Sequence, residues 1–487
     1  MTTTVAGIGR AGEVERGDRW RAILGRLVRL AMIVLAAALV GVAIKTGREV
    51  QVLALAAAGL AFLLSLRWPL LPLVAFAVLV PFEQAVFVEG VGTLSRYAAI
   101  AFLVAYGVPR LGRLKVRAMP VAAWGYLAWA ILSLGWAIDP ATSLAIIPPL
   151  VLLFVVAVVI AAAVVEQPEI VRPLVWAYAI SATATSFLGT AAYVLGEGPI
   201  GPNDRVAGLA GQDPAFFAAI LLPAFVVGFY ELLYLRWVVP SAFILAVSSI
   251  GILISGTRAA WLSAIVVVFL FVLPRLEPVR RFAALTIAVL GFVLVLQIPG
   301  VSALIQARTD TAIATGGAGR TDIWSIGLQI YESAPLTGVG IDNFPIANTP
   351  ERIRDATITV GTVDSLANLR AHNIVISTLG ELGVVGLLVL AAFVVPLLVR
   401  VGWGPDAPLV GASLGAIVSI SLFLDMFDRK ETWLFLALAS GLAYLRRHPP
   451  AAATGDGAEN ALAPAWNTSS TLIVSSPDER WNANSNS

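Results

Sequence analysis

Apolar stretches follow one another along this chain with only short polar interruptions. They fall near 27–44, 50–66, 69–82, 97–109, 119–137, 144–165, 171–196, 215–230, 237–255, 259–274, 282–298, 371–399, 407–424 and 431–445. Many reach the roughly 17–25 residues that a helix needs to cross a bilayer. In lipid every backbone N–H and C=O must be satisfied internally, and continuous rather than alternating apolar runs select helices over a barrel. The expected fold is therefore all-α, a polytopic transmembrane helical bundle of about 12–14 spans. The runs at 69–82 and 97–109 are short enough to be re-entrant, which sets that range.

Charged residues make up 13% of the 487, against about 25% in soluble chains, so no independent soluble domain is expected. Residues 27–446 read as one integral domain. Residues 1–26 carry Arg10, Arg16, Arg19, Arg21 and Arg26 and read as a cytoplasmic amphipathic arm. The first apolar run shows no small-residue cleavage pattern in a suitable context. Residues 447–487, rich in Ala, Pro, Ser, Asn and Gly, read as a disordered cytoplasmic tail. The absence of cysteine excludes disulfides, thiolate metal sites and cysteine nucleophiles. His372 and His448 alone cannot build a histidine-rich metal site. Nothing in the sequence points to nucleic acid.

Lys and Arg collect in cytoplasmic loops, which offers a check on the threading. With the N-terminus inside, the inner loops receive Arg67, the cluster Arg110, Arg113, Lys115 and Arg117, then Arg172, Arg236, Arg275, Arg280, Arg281, Arg400, Arg446 and Arg447. The pairs Lys45/Arg48 and Arg429/Lys430 fall outside and count against it. Trp20, Trp68, Trp261 and Trp433 lie near span ends and read as interface-belt residues.

On the same threading, Arg205, Arg258, Arg308, Arg320, Arg352, Arg354 and Arg370 face outward, with His372 at the downstream edge of 299–370. Outward arginines run against the usual bias and need a local reason. No acid lies near Arg258 in sequence, so its charge must meet a distant acid, lipid headgroups or an anionic substrate. The segment 299–370, before the last three spans, far exceeds the roughly 12–15 residues of an ordinary connector. Ile323, Ile326 and Ile330 recur at helical spacing, so Thr321 to Ser333 reads as an amphipathic helix on the outer membrane surface, despite Gly327 at its middle. A second short helix is expected around Pro350–Thr357.

Within 320–386 the chain reads R-T-D-I-W, then P-L-T-G-V-G-I-D-N-F, then A-H-N and G-E-L-G-V-V-G. Together with S-G-T-R-A-A-W at 255–261 and R-V-A-G-L-A-G-Q-D-P-A at 205–215, this resembles the O-antigen ligase and polymerase superfamily. The last element departs from that family's pattern, with Ala215 where Asn is usual. The resemblance covers about residues 200–400. It implies a polytopic glycosyltransferase in a bacterial inner membrane, with both termini cytoplasmic and 299–370 as an extracytoplasmic catalytic loop. The donor would be a glycan on undecaprenyl diphosphate, and the acceptor a hydroxyl of a glycolipid or glycan.

His372 would be the catalytic residue, since an imidazole takes or holds a hydroxyl proton near neutral pH; a capping or interfacial role is the other reading. Arg258, Arg320 and Arg205 would hold the diphosphate, because guanidinium is permanently charged and pairs bidentately with phosphate oxygens. Alternatives are a snorkelling anchor for Arg258 and a surface ion pair with Asp322 for Arg320. Asn373 would orient the imidazole or start the next helix, Gly338 and Gly340 would allow a tight turn or close backbone approach, and Asp342 would be a supporting acid. Glu381, about ten residues inside an apolar run, is expected to face the bundle interior, paired with an arginine. No D-x-D motif occurs in the outer loops, so metal-independent, cofactor-free chemistry is expected, with arginine in place of a cation. A polymerase extending a lipid-linked glycan shares these motifs. A transporter would be expected to show intramembrane charges or repeats, and a shape-and-division type polymerase would depend on a loop carboxylate.

Overall fold

The computed structural model describes residues 63–83, 87–88, 92–196, 200–201, 205–206, 208, 213–234, 237–297, 306, 310, 320–356, 358, 366–400 and 406–449. The expected arm at 1–26, the run near 27–44 and nearly all of the tail lie outside these residues, as does most of 299–319. Residues 1–71 and 72–487 are separate compact units. In the first, residues 63–67 are helical; the rest of this account concerns the second.

Among its described residues the second unit is helical almost throughout. Its helices are α1 (Leu71–Leu79), α2 (Leu94–Phe102), α3 (Val121–Leu132), α4 (Pro140–Glu166), α5 (Val171–Val194), α6 (Pro214–Leu233), α7 (Val238–Ile254), α8 (Arg258–Val267), α9 (Pro278–Leu296), α10 (Arg320–Ser333), α11 (Phe344–Ala347), α12 (Pro350–Asp355), α13 (Ile374–Val399), α14 (Ala407–Ser421) and α15 (Lys430–Arg447). Among the described residues two antiparallel ladders of two residues per strand accompany them: β1 (Phe87–Val88) with β2 (Gly92–Thr93), and β3 (Ile200–Gly201) with β4 (Arg205–Val206). The helices at Pro140–Glu166, Pro168–Val194, Pro214–Leu233 and Ile374–Val399 are long and apolar enough to cross a membrane, and shorter apolar helices accompany them. The protein is a polytopic helical membrane protein.

The expected run boundaries from 119 onward lie within about seven residues of the helix ends, as continuous hydropathy dictates. Punctuation residues set the ends. Asp139 accepts from Ala141 N at 3.1 Å and Thr142 Oγ1 at 2.7 Å, with Pro140 opening α4; Asp213 caps α6 through Ala215 N at 2.7 Å, with Pro214 next. Both arrangements satisfy N-terminal amides that a helix leaves open.

α6 packs on α7 and α5, α15 on α4, α14 on α6 and α8, and α13 on α3. The apolar core runs between these pairs. Trp433 is not in an interface belt. It is 2% exposed, packs against Phe154, Phe393 and Phe427, and donates its indole N–H to Phe427 O at 2.7 Å. The start of α15 therefore lies inside the protein.

Polar contacts separate the two ends of the bundle. At one end, Arg172 binds Glu231 Oε1 at 2.6 Å and Asp406 Oδ1 at 3.4 Å, joining the start of α5, the end of α6 and the start of α14. At the other end lie the start of α4, the hairpin β3–β4, the turn between α7 and α8, and the segment leading into α13. The candidate site is built there.

Candidate functional site

The scaffold is a broken helix. Gly383, inside α13, adopts φ 68° and ψ −171° and interrupts the helical ladder. The carbonyls freed by the break are taken from outside the helix. Val339 N donates to Gly380 O and Gly340 N to Glu381 O, both at 2.9 Å, and the Trp129 indole donates to Leu382 O at 2.9 Å. Val384 N in turn donates to Pro335 O at 2.8 Å. The glycines make this approach possible. A Cβ at Gly338 (φ +68°) would lie 2.3 Å from the Glu381 carbonyl carbon, and one at Gly340 (φ +101°) 2.5 Å from Ala137 Cβ. Both conformations are ones that L side chains rarely adopt.

The far side of the same loop is pinned to the start of α4. The Asn343 amide donates to Ser143 Oγ at 2.7 Å and Ile341 O at 3.0 Å, and its Oδ1 accepts from Asp139 N at 2.7 Å. Ser143 Oγ donates to Ile341 O at 2.7 Å. Every strong polar group of this buried Asn has a partner, as a buried amide requires.

The apolar face of α10 packs against protein. It buries Ile323, Ile326 and Ile330 in a small core with Val339, Phe344, Ile353, Leu366 and Ala371. Gly327 explains why a weak helix former stands at mid-helix: a Cβ there would come within 2.3 Å of Ile376 on α13. The Trp324 indole then donates to Ala371 O at 3.1 Å. This bond ties α10, one turn past its start, to the residue before His372.

His372 sits at φ 48°, in the left-handed region, between Ala371 and the cap of α13. Its backbone N–H donates to Asp425 Oδ2 at 3.3 Å. Asn373 accepts from Val375 N at 2.8 Å and Ile376 N at 3.2 Å through Oδ1, so its side chain caps the helix. A left-handed non-glycine residue costs of order 1–3 kcal/mol and persists only where its surroundings over-determine it. The cap, the Asp425 bond and the Trp324 bond do so here.

Arg320, Arg258 and His372 converge. Arg320 faces both Arg258 and Asp213, and His372 faces Arg320, Asp213 and Arg370. Burial and the like charge of Arg258 push Arg320 below the usual arginine value, with Asp213 opposing; it remains a cation at neutral pH. Burial and then Arg320 lower the His372 pKa below 6.5, which keeps the imidazole neutral at pH 7. Arg258 opens α8 directly after the turn at Ser255–Thr257. Arg205 braces that turn, with Nε on Ser255 O at 2.8 Å and an Nη on Thr257 Oγ1 at 2.7 Å. The hairpin β3–β4 thus ties Arg205 to the turn that precedes Arg258.

A second group of charges adjoins the first. Asp342, at φ 60°, pairs with Arg370 at 2.7 Å and donates its N–H to Glu381 Oε2 at 2.9 Å. Glu381 is buried, facing the interior with Arg370 in its field. Arg370 also faces Asp425 and Asp428. Burial raises the Asp425 carboxyl to about 6, with Asp428 adding to the rise. Burial raises Asp342 as well, against the pull of Arg370.

Of the residues singled out in the sequence, Arg320 neighbours both Arg258 and His372, and Asn373 caps the helix that follows His372. Gly338 and Gly340 form the docking turn, Arg205 supports the Arg258 turn, and Asp342 lies in the neighbouring acidic group. No local signal marks Asp425 and Asp428, which come from the connection after α14, or the indoles of Trp129 and Trp324. Asn343, within G-I-D-N-F, was legible only as part of a motif.

Residues 242–391 match a family model described as O-antigen ligase. No curated protein matches the chain. The matched stretch contains α8, α10 and α13 as far as eight residues past the Gly383 break, hence Arg258, Arg320 and His372.

Proposed function

We propose that this member of the O-antigen ligase superfamily transfers a glycan from a polyprenyl diphosphate to an acceptor hydroxyl. That it is a membrane enzyme of the O-antigen ligase or polymerase type follows from the family match. Donor, acceptor and membrane side belong to the proposal, with undecaprenyl diphosphate as the carrier lipid, the site on the extracytoplasmic face and the chain in a bacterial inner membrane. The observation that carries it is the meeting of two arginines from separate helices with a neutral histidine.

Two guanidinium groups facing each other repel, and burial makes the repulsion more costly. Asp213 opposes that repulsion more weakly than Arg258 imposes it, and a further anion beside the pair would stabilise it. A diphosphate leaving group fits, since it gathers charge as the anomeric C–O bond breaks, and donors aimed at developing charge supply the largest share of rate in such sites. The acceptor oxygen forms the new glycosidic bond, the electron pair of the broken bond goes to the diphosphate, and the acceptor proton passes to His372 and then to solvent. The depressed pKa of His372 keeps it free to take that proton.

Binding tests the donor assignment without turnover. Undecaprenyl diphosphate bound to the purified protein in lipid nanodiscs, followed by native mass spectrometry, should lose about tenfold or more in affinity in Arg258→Ala and in Arg320→Ala. Unchanged affinity in both variants would remove the diphosphate from this site.

A further inference from the structure

We infer that the pocket between α3, α4 and α13 is the acceptor subsite, and that it takes an uncharged or amine-bearing sugar ring and rejects an anionic one. The word acceptor rests on the glycosyl-transfer reading; the preference for sugar and against negative charge rests on the pocket itself.

The pocket is open at its mouth and lined by residues of all three helices. Ile146, Leu150 and Leu153 of α4 form an apolar wall. Tyr126 and Phe427 also line it, their rings edge to face at 5.0 Å. Asp342, Glu381, Asp425 and Asp428 supply four carboxyl groups, against one cation, Arg370, already committed to Asp342 at 2.7 Å. Among the described residues these acids do not group as ligands for a metal ion.

Asp425 carries the clearest sign of a missing partner. Its Oδ2 accepts from His372 N, yet its Oδ1 is buried and has no hydrogen-bond partner. Leaving such an atom unsatisfied costs its desolvation with no bond in return, and a carboxylate oxygen accepts only. The occupant must therefore bring donors. A sugar ring brings several hydroxyl donors and an apolar C–H face suited to an aromatic wall. A phosphate or carboxylate brings none when ionised and would meet like charge in a poorly hydrated place.

Position connects the pocket to the chemistry. Arg370 lines it, and His372, two residues on, faces Arg320. The segment 370–373 therefore divides a cationic compartment, suited to the lipid diphosphate, from an acidic one. An acceptor ring in the acidic compartment would present its hydroxyl across this partition, past the imidazole, towards the anomeric carbon.

The natural absence of cysteine allows a test that needs no turnover. Ser377 lines the pocket, so Ser377→Cys reports its occupancy through the rate of modification by N-ethylmaleimide in nanodiscs. Octyl β-glucoside below its micellar concentration should slow modification about fivefold as occupancy rises. Octyl β-glucuronide, differing by one carboxylate, should slow it less than about twofold. Adding Asp425→Asn and Asp428→Asn should let the glucuronide protect as well as the glucoside. Equal protection by both in the Ser377→Cys protein, or protection by neither, would overturn the inference. In steady state Asp428→Asn alone, at an exposed position, should raise the acceptor KM and leave the donor KM unchanged. A rise in the donor KM instead would also overturn it. Protection by the glucoside in a protein that transfers no glycan would remove the transfer reading and leave the sugar pocket standing.

Discussion

The Trp324 indole donates to the carbonyl oxygen of Ala371 at 3.1 Å. Trp324 lies one turn beyond Arg320 and Ala371 one residue before His372, so this one bond fixes the spacing between a cation and an imidazole that stand fifty-two positions apart in sequence. Trp324→Phe keeps the ring and removes the donor. It should cost about 1 kcal/mol in stability and lower kcat more than it raises the donor KM. An unchanged kcat in a normally folded variant would show that the bond positions nothing.

His372 should titrate below 6.5, because burial and Arg320 both disfavour its charged form. The base is neutral above that value, so kcat/KM should be flat near pH 7 and fall only as pH drops through it. With His448→Gln as background, His372 is the sole histidine and its ring signal can be followed by NMR. Arg320→Gln removes a like charge and should move the value upward, towards 6.5. A His372 pKa at or above 6.5 in the otherwise native site would contradict the arrangement of charges around it.

Asn373 should matter as a cap. Asn373→Ala should lose about 1 kcal/mol and disturb the strained His372 backbone, lowering activity. Asn373→Asp or Asn373→Ser, which keep an accepting oxygen, should retain most of it. Equal loss in all three would point instead to a contact made by the amide nitrogen.

Gly383→Ala should be severe. A Cβ there would lie 2.3 Å from the carbonyl carbon and oxygen of Leu336, at φ +68°. Left-handed backbone alone costs of order 1–3 kcal/mol for a non-glycine residue, and a backbone collision adds to it. Gly112→Ala, where nothing lies within 4 Å, is the control and should be neutral. Melting curves in detergent for the two variants provide the comparison.

The bundle was legible because hydropathy is a local signal. Each span from α3 to α15 is written in its own residues, and so is the α10 face formed by Ile323, Ile326 and Ile330. What that face packs against was not legible. Gly327 looked like a flaw in a surface helix, and only the approach of Ile376 explains it. Arg429 and Lys430 looked like evidence against the threading. In the fold Lys430 pairs with Glu83 and with Thr93 and Ser95 at 2.8 and 2.9 Å, while Arg429 lies 3.7 Å from the centre of the Phe216 ring. Charges with such partners carry little topological information. Arg258, Arg320 and His372 could be singled out as polar residues in motifs within an apolar chain. Asp425 and Asp428 could not, since the connection after α14 has no motif and reaches the site only through tertiary packing.

The central claim is that Arg258, Arg320 and His372 form one site for glycosyl transfer from a lipid diphosphate. The most direct measurement is transfer from a purified polyprenyl-diphosphate glycan in detergent with EDTA, comparing the wild type with Arg258→Ala, Arg320→Ala and His372→Ala. The account predicts release of lipid diphosphate by the wild type and losses of about 10²-fold or more in each folded variant. Full activity in the His372→Ala protein would contradict it.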